Sequence, residues 1–306
     1  MYPMRTASAS SLTRLHTHAP AFMSTRYAAV PERISLPGVI SKKRKSGRSS
    51  PSASSDDGES EVWRDMDTVY INLTKREDRK KLIQTEMRNQ GLKGARRFPA
   101  KTGDEVNDKA VARSWHSGLN CLFDKKTIPA MHTMSKGERG CSGSHVALWK
   151  QCARKDDHTK PMLVLEDDAV LWERSGVFFP EMCHRLIAAA EQMYDVATEP
   201  LILYVGCEVT SWRDSRRVVV EGPPVMKLRE AEYLWQTSSY ILWPAAARAL
   251  LARLPVDCPT DCYISKLVLE GYITAVVACP HIAEQRDPYA KGDIKHTNIY
   301  KWQQAQ

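Results

Sequence analysis

Short apolar runs alternate with longer amphipathic segments between residues 67 and 280. Short apolar runs rich in branched side chains are typical of strands buried on both faces, and amphipathic spacing is typical of helices that cover a sheet. The pattern predicts strands at 68–73, 97–104, 161–165, 201–206, 234–243 and 274–279. It predicts helices at 74–91, 146–154, 180–194, 244–254 and 260–271. Because strands and helices alternate, we expect an α/β fold with a mainly parallel sheet and helices on both faces.

Two long stretches lack either period and are predicted as connections. Residues 104–134 are expected to be irregular, and residues 210–232 are expected to form a polar connection. A Gly-Pro-Pro turn is predicted at 222–224, since these residues favour tight changes of chain direction.

The stretch Pro161–Leu171 combines the strand pattern with a run of three acids, Glu166, Asp167 and Asp168. Adjacent carboxylates are costly to desolvate unless a cation lies among them. Ligand crevices in open α/β sheets lie at the carboxyl ends of strands, which is where these acids fall. Glu166 and Asp168 share one side of an extended chain and offer Mg²⁺ or Mn²⁺ two oxygen ligands. A solvated strand end is the alternative for the triplet taken alone.

Two helix starts are predicted from small polar residues. Thr74 is followed by Glu77 at the spacing of a capping box. The glycine-rich block 137–145 is predicted as a loop that enters a helix at Val146, with Ser142 or Ser144 as its N-cap and free backbone N–H groups for an anion.

Three side chains near the predicted crevice are further candidates. Arg76 and Arg79 follow the first strand and are suited to a diphosphate or a nucleobase, with a solvated helix face as the alternative. His145 has no second histidine at helical spacing, so we expect it to form hydrogen bonds near the crevice rather than to bind a metal.

Residues 1–60 differ in composition from the rest of the chain. They hold nine basic and four acidic residues, whereas the remainder of this 306-residue chain holds 35 and 32. The net charge of +8 therefore belongs mostly to this segment, and no basic stripe with aromatics predicts a nucleic-acid partner. We divide the chain into a disordered or targeting tail, 1–60, and a folded domain, 61–306.

The tail carries two weak targeting signals. Residues 1–31 lack acids and contain three arginines, which resembles an organellar transit peptide. Residues 42–45 form a basic cluster before a serine-rich stretch, which indicates either nuclear import or a solvated linker. No apolar run reaches the ~18 residues of a membrane span.

Eight cysteines are scattered along the chain without a CxxC pair. Cys258 and Cys262 are four residues apart, but two thiols do not make a zinc site. We expect most of the cysteines to be small buried hydrophobic residues.

Four blocks, in order, resemble glycosyltransferase family 25, the lipopolysaccharide-type and procollagen galactosyltransferases, over residues 68–287. The blocks are Ile71-Asn72-Leu73 with Arg76 and Arg79, Gly137 to His145, Leu165 to Asp168, and Pro259-Thr260-Asp261, with Tyr240 before the last. The chain departs from the family pattern at Lys101, Thr102 and Arg139, which bears on donor choice more than on the fold.

The resemblance implies a GT-A-like, Rossmann-type fold and a metal-dependent inverting transfer of galactose or glucose. The donor would be a UDP-sugar, and the acceptor a hydroxyl group of a glycan or a protein. Asp168 and Glu166 would hold Mn²⁺ or Mg²⁺, and the donor would be contacted by Asn72, Arg76, Arg79, Ser144, His145 and Glu166. Asp261 is the first candidate for the general base, with a helix-capping acid as the alternative, and Glu230 and Glu232 are the next candidates.

Two other functions are kept as hypotheses. A catalytically silent relative would bind partners or glycans through the same fold. A metal-dependent nucleotidyltransferase would share acids at a strand end but would not explain the glycine-rich block. The resemblance suggests the secretory pathway or a site of glycan assembly at a membrane, and the sequence does not indicate the acceptor.

Overall fold

The computed structural model describes residues 66–286, with residues 215 and 216 described in their backbone only. The predicted tail, its two targeting signals and the domain boundary near residue 60 lie outside these residues. The strands are β1 Asp67–Asn72, β2 Arg96–Pro99, β3 Ser114–His116, β4 Met131–Thr133, β5 Met162–Glu166, β6 Ala169–Leu171, β7 Leu201–Val220, β8 Met226–Leu242, β9 Thr274–Cys279 and β10 Ala283–Gln285. The helices are α1 Glu77–Asn89, α2 Lys136–Ala153, α3 Phe179–Met193, α4 Pro244–Leu251 and α5 Thr260–Leu269.

The central sheet has six strands in the order β2-β1-β5-β8-β7-β9. β1 pairs in parallel with β2 and β5, and β7 pairs in parallel with β9. β8 runs antiparallel to both β5 and β7. Five of these six strands therefore point the same way, and the predicted α/β fold with a mainly parallel sheet is confirmed.

Helices cover both faces of the sheet, as the pattern predicts. On one face, alternate strand residues such as Val164 and Tyr240 pack against α2, α4 and α5. On the other face, the intervening residues, such as Leu163 and Ile241, pack against α1 and α3. Because successive side chains of a strand point to opposite faces, one apolar run fills both layers of the core.

The predicted polar connection at 210–232 is wrong. These residues belong to β7 and β8, which form a long antiparallel ribbon whose strands also pair with β9. Apolar and charged residues alternate at the start of β8, from Met226 to Arg229, but not along residues 213–220 of β7. Several irregularities also interrupt the register between the two strands. The predicted turn at 222–224 is present, as the bend between the two strands.

The two predicted helix starts are also wrong. α1 begins at Glu77 after Arg76, and no side chain among residues 66–286, Thr74 included, caps it. α2 begins at Lys136, so the whole glycine-rich block is helix rather than loop. Ser135 caps it and forms a capping box with Glu138. The N–H groups after Ser142 and Ser144, which the prediction left free for an anion, therefore lie inside the helix.

Among residues 66–286, no helix combines the length and the apolar character needed to cross a membrane.

Candidate active site

The acidic triplet lies at the carboxyl end of β5, beside the end of β1. Glu166 is the last residue of β5, and Asp167 and Asp168 form the turn into β6. The parallel pairing of β1 with β5 brings Asn72 to the same edge. The crevice edge predicted from the sequence is therefore formed by neighbouring parallel strands.

Asp167 is held by the chain that precedes α1. Asn72 Nδ2 donates to Asp167 Oδ2 over 2.7 Å and to the carbonyl of Arg76 over 3.0 Å. Arg79 donates to Asp167 Oδ1 over 3.1 Å, and Arg97 donates to Asn72 Oδ1 over 3.0 Å. Burial nevertheless raises the pKa of Asp167 above its usual range, since it outweighs these bonds. Asp167 thus ties the acidic turn to β1 and α1.

Asp168 is less completely satisfied than Asp167. Its Oδ2 accepts hydrogen bonds from Arg79 over 3.4 Å and from Gln285 over 3.3 Å. Its Oδ1 is buried and has no hydrogen-bond partner among the described residues. Burial, with the negative charge of Glu166 as the next cause, raises the pKa of Asp168 to about 6. A buried carboxylate oxygen in this state is a ready ligand for a cation.

Glu166, two residues before Asp168, lies in a different environment. His145 Nε2 lies 3.3 Å from Glu166 Oε1, and Thr237 donates to the same oxygen over 2.7 Å. Burial opposes ionisation of Glu166, but the hydrogen bond and the charge of His145 outweigh it and lower the pKa of the carboxyl. His145 Nδ1 lies 2.8 Å from Tyr240 Oη, to which Trp149 Nε1 also donates over 3.2 Å. These partners fix the orientation of the His145 ring.

The glycines of α2 allow the segment after β2 to approach the helix closely. A Cβ atom on Gly140 would lie 2.6 Å from the carbonyl oxygen of Lys101, and one on Gly143 would lie 2.3 Å from Val106 Cγ2. Ser144 is fully buried, donates to the carbonyl of Gly140 over 2.7 Å and accepts from the backbone N–H of Lys101 over 2.8 Å. The expectation that Ser144 caps a helix is corrected, because Ser144 lies inside α2 and both of its hydrogen bonds are made within the protein. Its contact with a donor stays a prediction.

Arg139, which departs from the family pattern, anchors the segment that follows Val106. Its guanidinium is nearly buried and donates to the carbonyls of Val106, Val111 and Ala112. It also pairs with Asp108 over 2.9 Å. Arg139 therefore holds the segment that packs beside α2, and its bonds do not involve the acidic residues at the end of β5.

Asp261 lies in the first turn of α5, where it was predicted. Its Oδ2 accepts from the backbone N–H of Gln236 over 3.0 Å, and its Oδ1 accepts from that of Cys262 over 2.8 Å. Gln236 has a φ of 72°, a left-handed conformation that is costly for a residue with a Cβ atom. Asp261 thus stabilises a strained point of β8, in addition to any chemistry it performs.

The two arginines after β1 differ in position. Arg79 bridges Asp167 and Asp168, at the predicted crevice. Arg76 forms an ion pair with the exposed Asp78 over 2.8 Å. The crevice also includes Arg97, Thr237 and Gln285, which the sequence did not indicate as site residues. Only strand pairing identifies them, since β10 runs antiparallel to β6 and places Gln285 opposite Ala169.

Comparison with known proteins gives consistent matches. The model of the family described as Glycosyltransferase family 25 (LPS biosynthesis protein) matches residues 66–264. A Glycosyltransferase 25 family member from Drosophila melanogaster is 27% identical over 63% of this chain and 29% of its own length. Procollagen galactosyltransferase 2 from Homo sapiens is 22% identical over 75% of this chain and 33% of its own length. The human protein named Inactive glycosyltransferase 25 family member 3 is 29% identical over 62% of this chain and 29% of its own length. The chain thus spans about a third of the length of these curated relatives.

Proposed function

Because the chain belongs to glycosyltransferase family 25, we propose that it transfers a hexose, galactose or glucose, from a UDP-sugar to a hydroxyl group of a glycan or protein acceptor. The reaction would invert the anomeric centre and depend on a divalent metal ion, on a GT-A type of fold. One similar protein is named as a galactosyltransferase, which supports galactose as the first sugar to test.

The observation that carries the metal proposal is the unpartnered Oδ1 of Asp168 among the described residues. Mn²⁺ or Mg²⁺ takes oxygen ligands and keeps positions open for substrate phosphates. We place the ion on Asp168, with Glu166 as the second protein carboxylate. When bound, such an ion neutralises charge that develops on a diphosphate leaving group. The oxygen donors at this edge fit that role.

The protein's own groups complete the donor site. Arg79 supplies a positive charge beside Asp168 and is placed to meet a diphosphate. Asn72 holds Asp167, and His145 and Thr237 hold Glu166, so the carboxylates keep fixed positions. Asp261 remains our candidate for the base that accepts the acceptor's hydroxyl proton.

Calorimetric titration of UDP tests this proposal. We expect binding with Mn²⁺ and weak binding in chelator, because UDP alone meets three like charges. Asp168→Asn should also bind UDP weakly, because it lacks the proposed metal ligand. Glu173→Gln, which neutralises an exposed acid just after β6, is the matched control and should bind UDP as the unmodified chain does. Equal affinity with Mn²⁺ and in chelator would refute the metal site.

The ion pairs of Arg79 favour one alternative, a catalytically silent relative. Its guanidinium compensates Asp167 and Asp168 at 3.1 and 3.4 Å without any metal. Some similar proteins are named as inactive. Hydrolysis of UDP-galactose or UDP-glucose, measured with Mn²⁺, separates the two functions, since a silent relative would bind UDP and release no sugar.

A further inference from the structure

Three metal-ligating side chains meet on the α2 side of the acidic edge. Cys141 and His145 are four residues apart and therefore share one face of α2. Glu166 approaches them from the end of β5. One ligand atom from each side chain, a thiol sulfur, a ring nitrogen and a carboxylate oxygen, lies within 4.8 Å of the other two.

The chemistry of these ligands differs from that of Asp168. A set of one sulfur, one nitrogen and one oxygen suits Zn²⁺ or another thiophilic divalent ion, whereas Mn²⁺ and Mg²⁺ prefer oxygen alone. In a tetrahedral zinc site the bond lengths place ligand atoms about 3.5 Å apart. His145 Nε2 and Glu166 Oε1 are already 3.3 Å apart. The Sγ atom of the partly exposed Cys141 lies within 4.8 Å of both atoms, so binding would require its side chain to rotate towards them.

The groups behind these ligands match the second layer of a metal site. A metal-bound histidine usually has its other ring nitrogen hydrogen-bonded to the protein, which fixes its orientation. His145 Nδ1 lies 2.8 Å from Tyr240 Oη, and Trp149 holds the same oxygen. Thr237 donates to Glu166 and orients the carboxylate. Both His145 and Glu166 are therefore aimed by the surrounding protein, as a metal site requires.

We propose that Cys141 Sγ, His145 Nε2 and a carboxylate oxygen of Glu166 bind a zinc-type divalent ion, with the fourth position left to water from the crevice. Binding releases the thiol proton of Cys141 to solvent, and a proton on Nε2 moves to Nδ1 or is also released. This ion position differs from the one proposed at Asp168, and Glu166 is the ligand that the two positions share. It stands even if Asp168 binds no metal.

Titration with Co²⁺ tests the site without an activity assay. The full chain is first saturated with Mg²⁺, which occupies oxygen sites and is spectroscopically silent. We expect one equivalent of Co²⁺ to produce thiolate-to-cobalt absorption and the visible bands of a tetrahedral ion. Zn²⁺ should abolish both, whereas excess Mg²⁺ should not.

Variants assign the signal to these ligands. Cys141→Ser should remove the thiolate absorption, whereas Cys121→Ser and Cys279→Ser, at the other two partly exposed cysteines, should keep it. Glu166→Gln should weaken Co²⁺ binding at least tenfold. Asp168→Asn should keep the absorption, which separates this site from the one of the proposed function.

Two results would overturn the inference. One is the absence of thiolate absorption in the unmodified chain, and the other is absorption that persists in Cys141→Ser. If Cys141→Ser fails to fold, as judged by its melting curve, Cys141→Ala takes its place, and unchanged Co²⁺ affinity in Glu166→Gln then overturns the inference as well.

Discussion

The acidic end of β5 and the glycine-rich part of α2 carry the two most distinctive motifs of the chain. They differ in whether their polar groups find hydrogen-bond partners within the protein. In α2, the N-terminus is capped by Ser135 and Glu138, and Ser144 makes both of its hydrogen bonds within the fold. At the end of β5, Asp168 keeps a buried oxygen without a partner among the described residues. Glycine and serine in a motif indicate that something packs closely against the backbone there. They do not show whether it is a ligand or another part of the chain. Buried adjacent acids are different, because the chain itself rarely supplies enough positive charge for all of them.

The largest effect is expected at Asp261, in the first turn of α5. Asp261→Asn should lower turnover by roughly 10²–10⁴-fold while UDP affinity stays near that of the unmodified chain, because the amide cannot accept a proton. The amide oxygen can still accept one backbone N–H, so the fold at Gln236 should persist. The measurement is steady-state transfer with calorimetric UDP binding.

The matched control for Asp261 is Asp257→Asn. Asp257 lies just before α5, and its half-exposed carboxylate pairs with Lys266. Its turnover should stay near normal. Near-normal turnover in Asp261→Asn as well would leave Asp261 as the residue that stabilises Gln236, and Glu230 and Glu232 would become the next candidates.

The second effect is a gain in stability from removing the Asp168 charge when no metal is present. The pKa of Asp168 is raised from 3.8 to about 6 by burial and by Glu166. The folded state therefore binds this proton more tightly than the unfolded chain does, and stability falls as pH rises from about 4 to about 6. The full ionisation penalty is about 3 kcal/mol at most.

Denaturant unfolding of Asp168→Asn in chelator checks this sign. Its stability advantage over the unmodified chain should grow between pH 4 and pH 6 and then remain constant. Mn²⁺ should stabilise the unmodified chain and not the variant. An advantage that is absent at pH 7, or that does not change with pH, would contradict the description of Asp168 as an incompletely compensated acid.

The sequence predicted the layers of the fold better than its motifs. The β9 strand was predicted with its observed bounds, 274–279, because a buried apolar run leaves little choice of structure. The ribbon of β7 and β8 was missed, since its charges and register shifts hide the alternation of a strand. The extent of α2 was missed because glycine favours loops when only local preference is considered. Packing of the helix against Lys101 and Val106 outweighs that preference, and this tertiary contact cannot be read from the local sequence.

The candidate site was predictable only where the motif itself lies on the crevice. Asp168, Glu166, Asn72 and Arg79 could be placed there, because strand ends in a parallel sheet share an edge. Arg97 and Gln285 reach the same edge from segments far away in sequence, and no local pattern marks them. Ser144 was predicted as an N-cap, but it lies inside α2 and its side chain bonds to the carbonyl of Gly140 and the N–H of Lys101.

The third effect tests whether the α2 glycines act through packing. Gly143→Ala should lower the free energy of unfolding by about 1–3 kcal/mol, because its new methyl group overlaps the side chain of Val106. Gly140→Ala should cost more, since the nearest atom there is the backbone oxygen of Lys101. Denaturant unfolding measures both variants, and UDP affinity should not change in either while the protein is folded.

Val106→Ala provides the matched test for Gly143. Combining it with Gly143→Ala should recover part of the loss, with a coupling energy of about 1 kcal/mol between the two sites. Additive losses would show that Gly143 is not required for the contact with Val106. Weaker UDP binding in folded Gly143→Ala would return this block to the role of a ligand loop.

The smallest effect is expected at the N-cap of α2. Ser135→Ala removes the side-chain oxygen that accepts the backbone N–H of Glu138, and should lower the free energy of unfolding by about 1 kcal/mol. Ser135→Asn supplies an equivalent acceptor and should remain within a few tenths of a kcal/mol of the unmodified chain. Both variants should bind UDP with Mn²⁺ normally, since the capped helix start is occupied by the protein's own groups. If Ser135→Ala weakened UDP binding without a change in stability, the start of α2 would be a ligand site after all, and the contrast between the acidic end of β5 and the glycine-rich helix would fail.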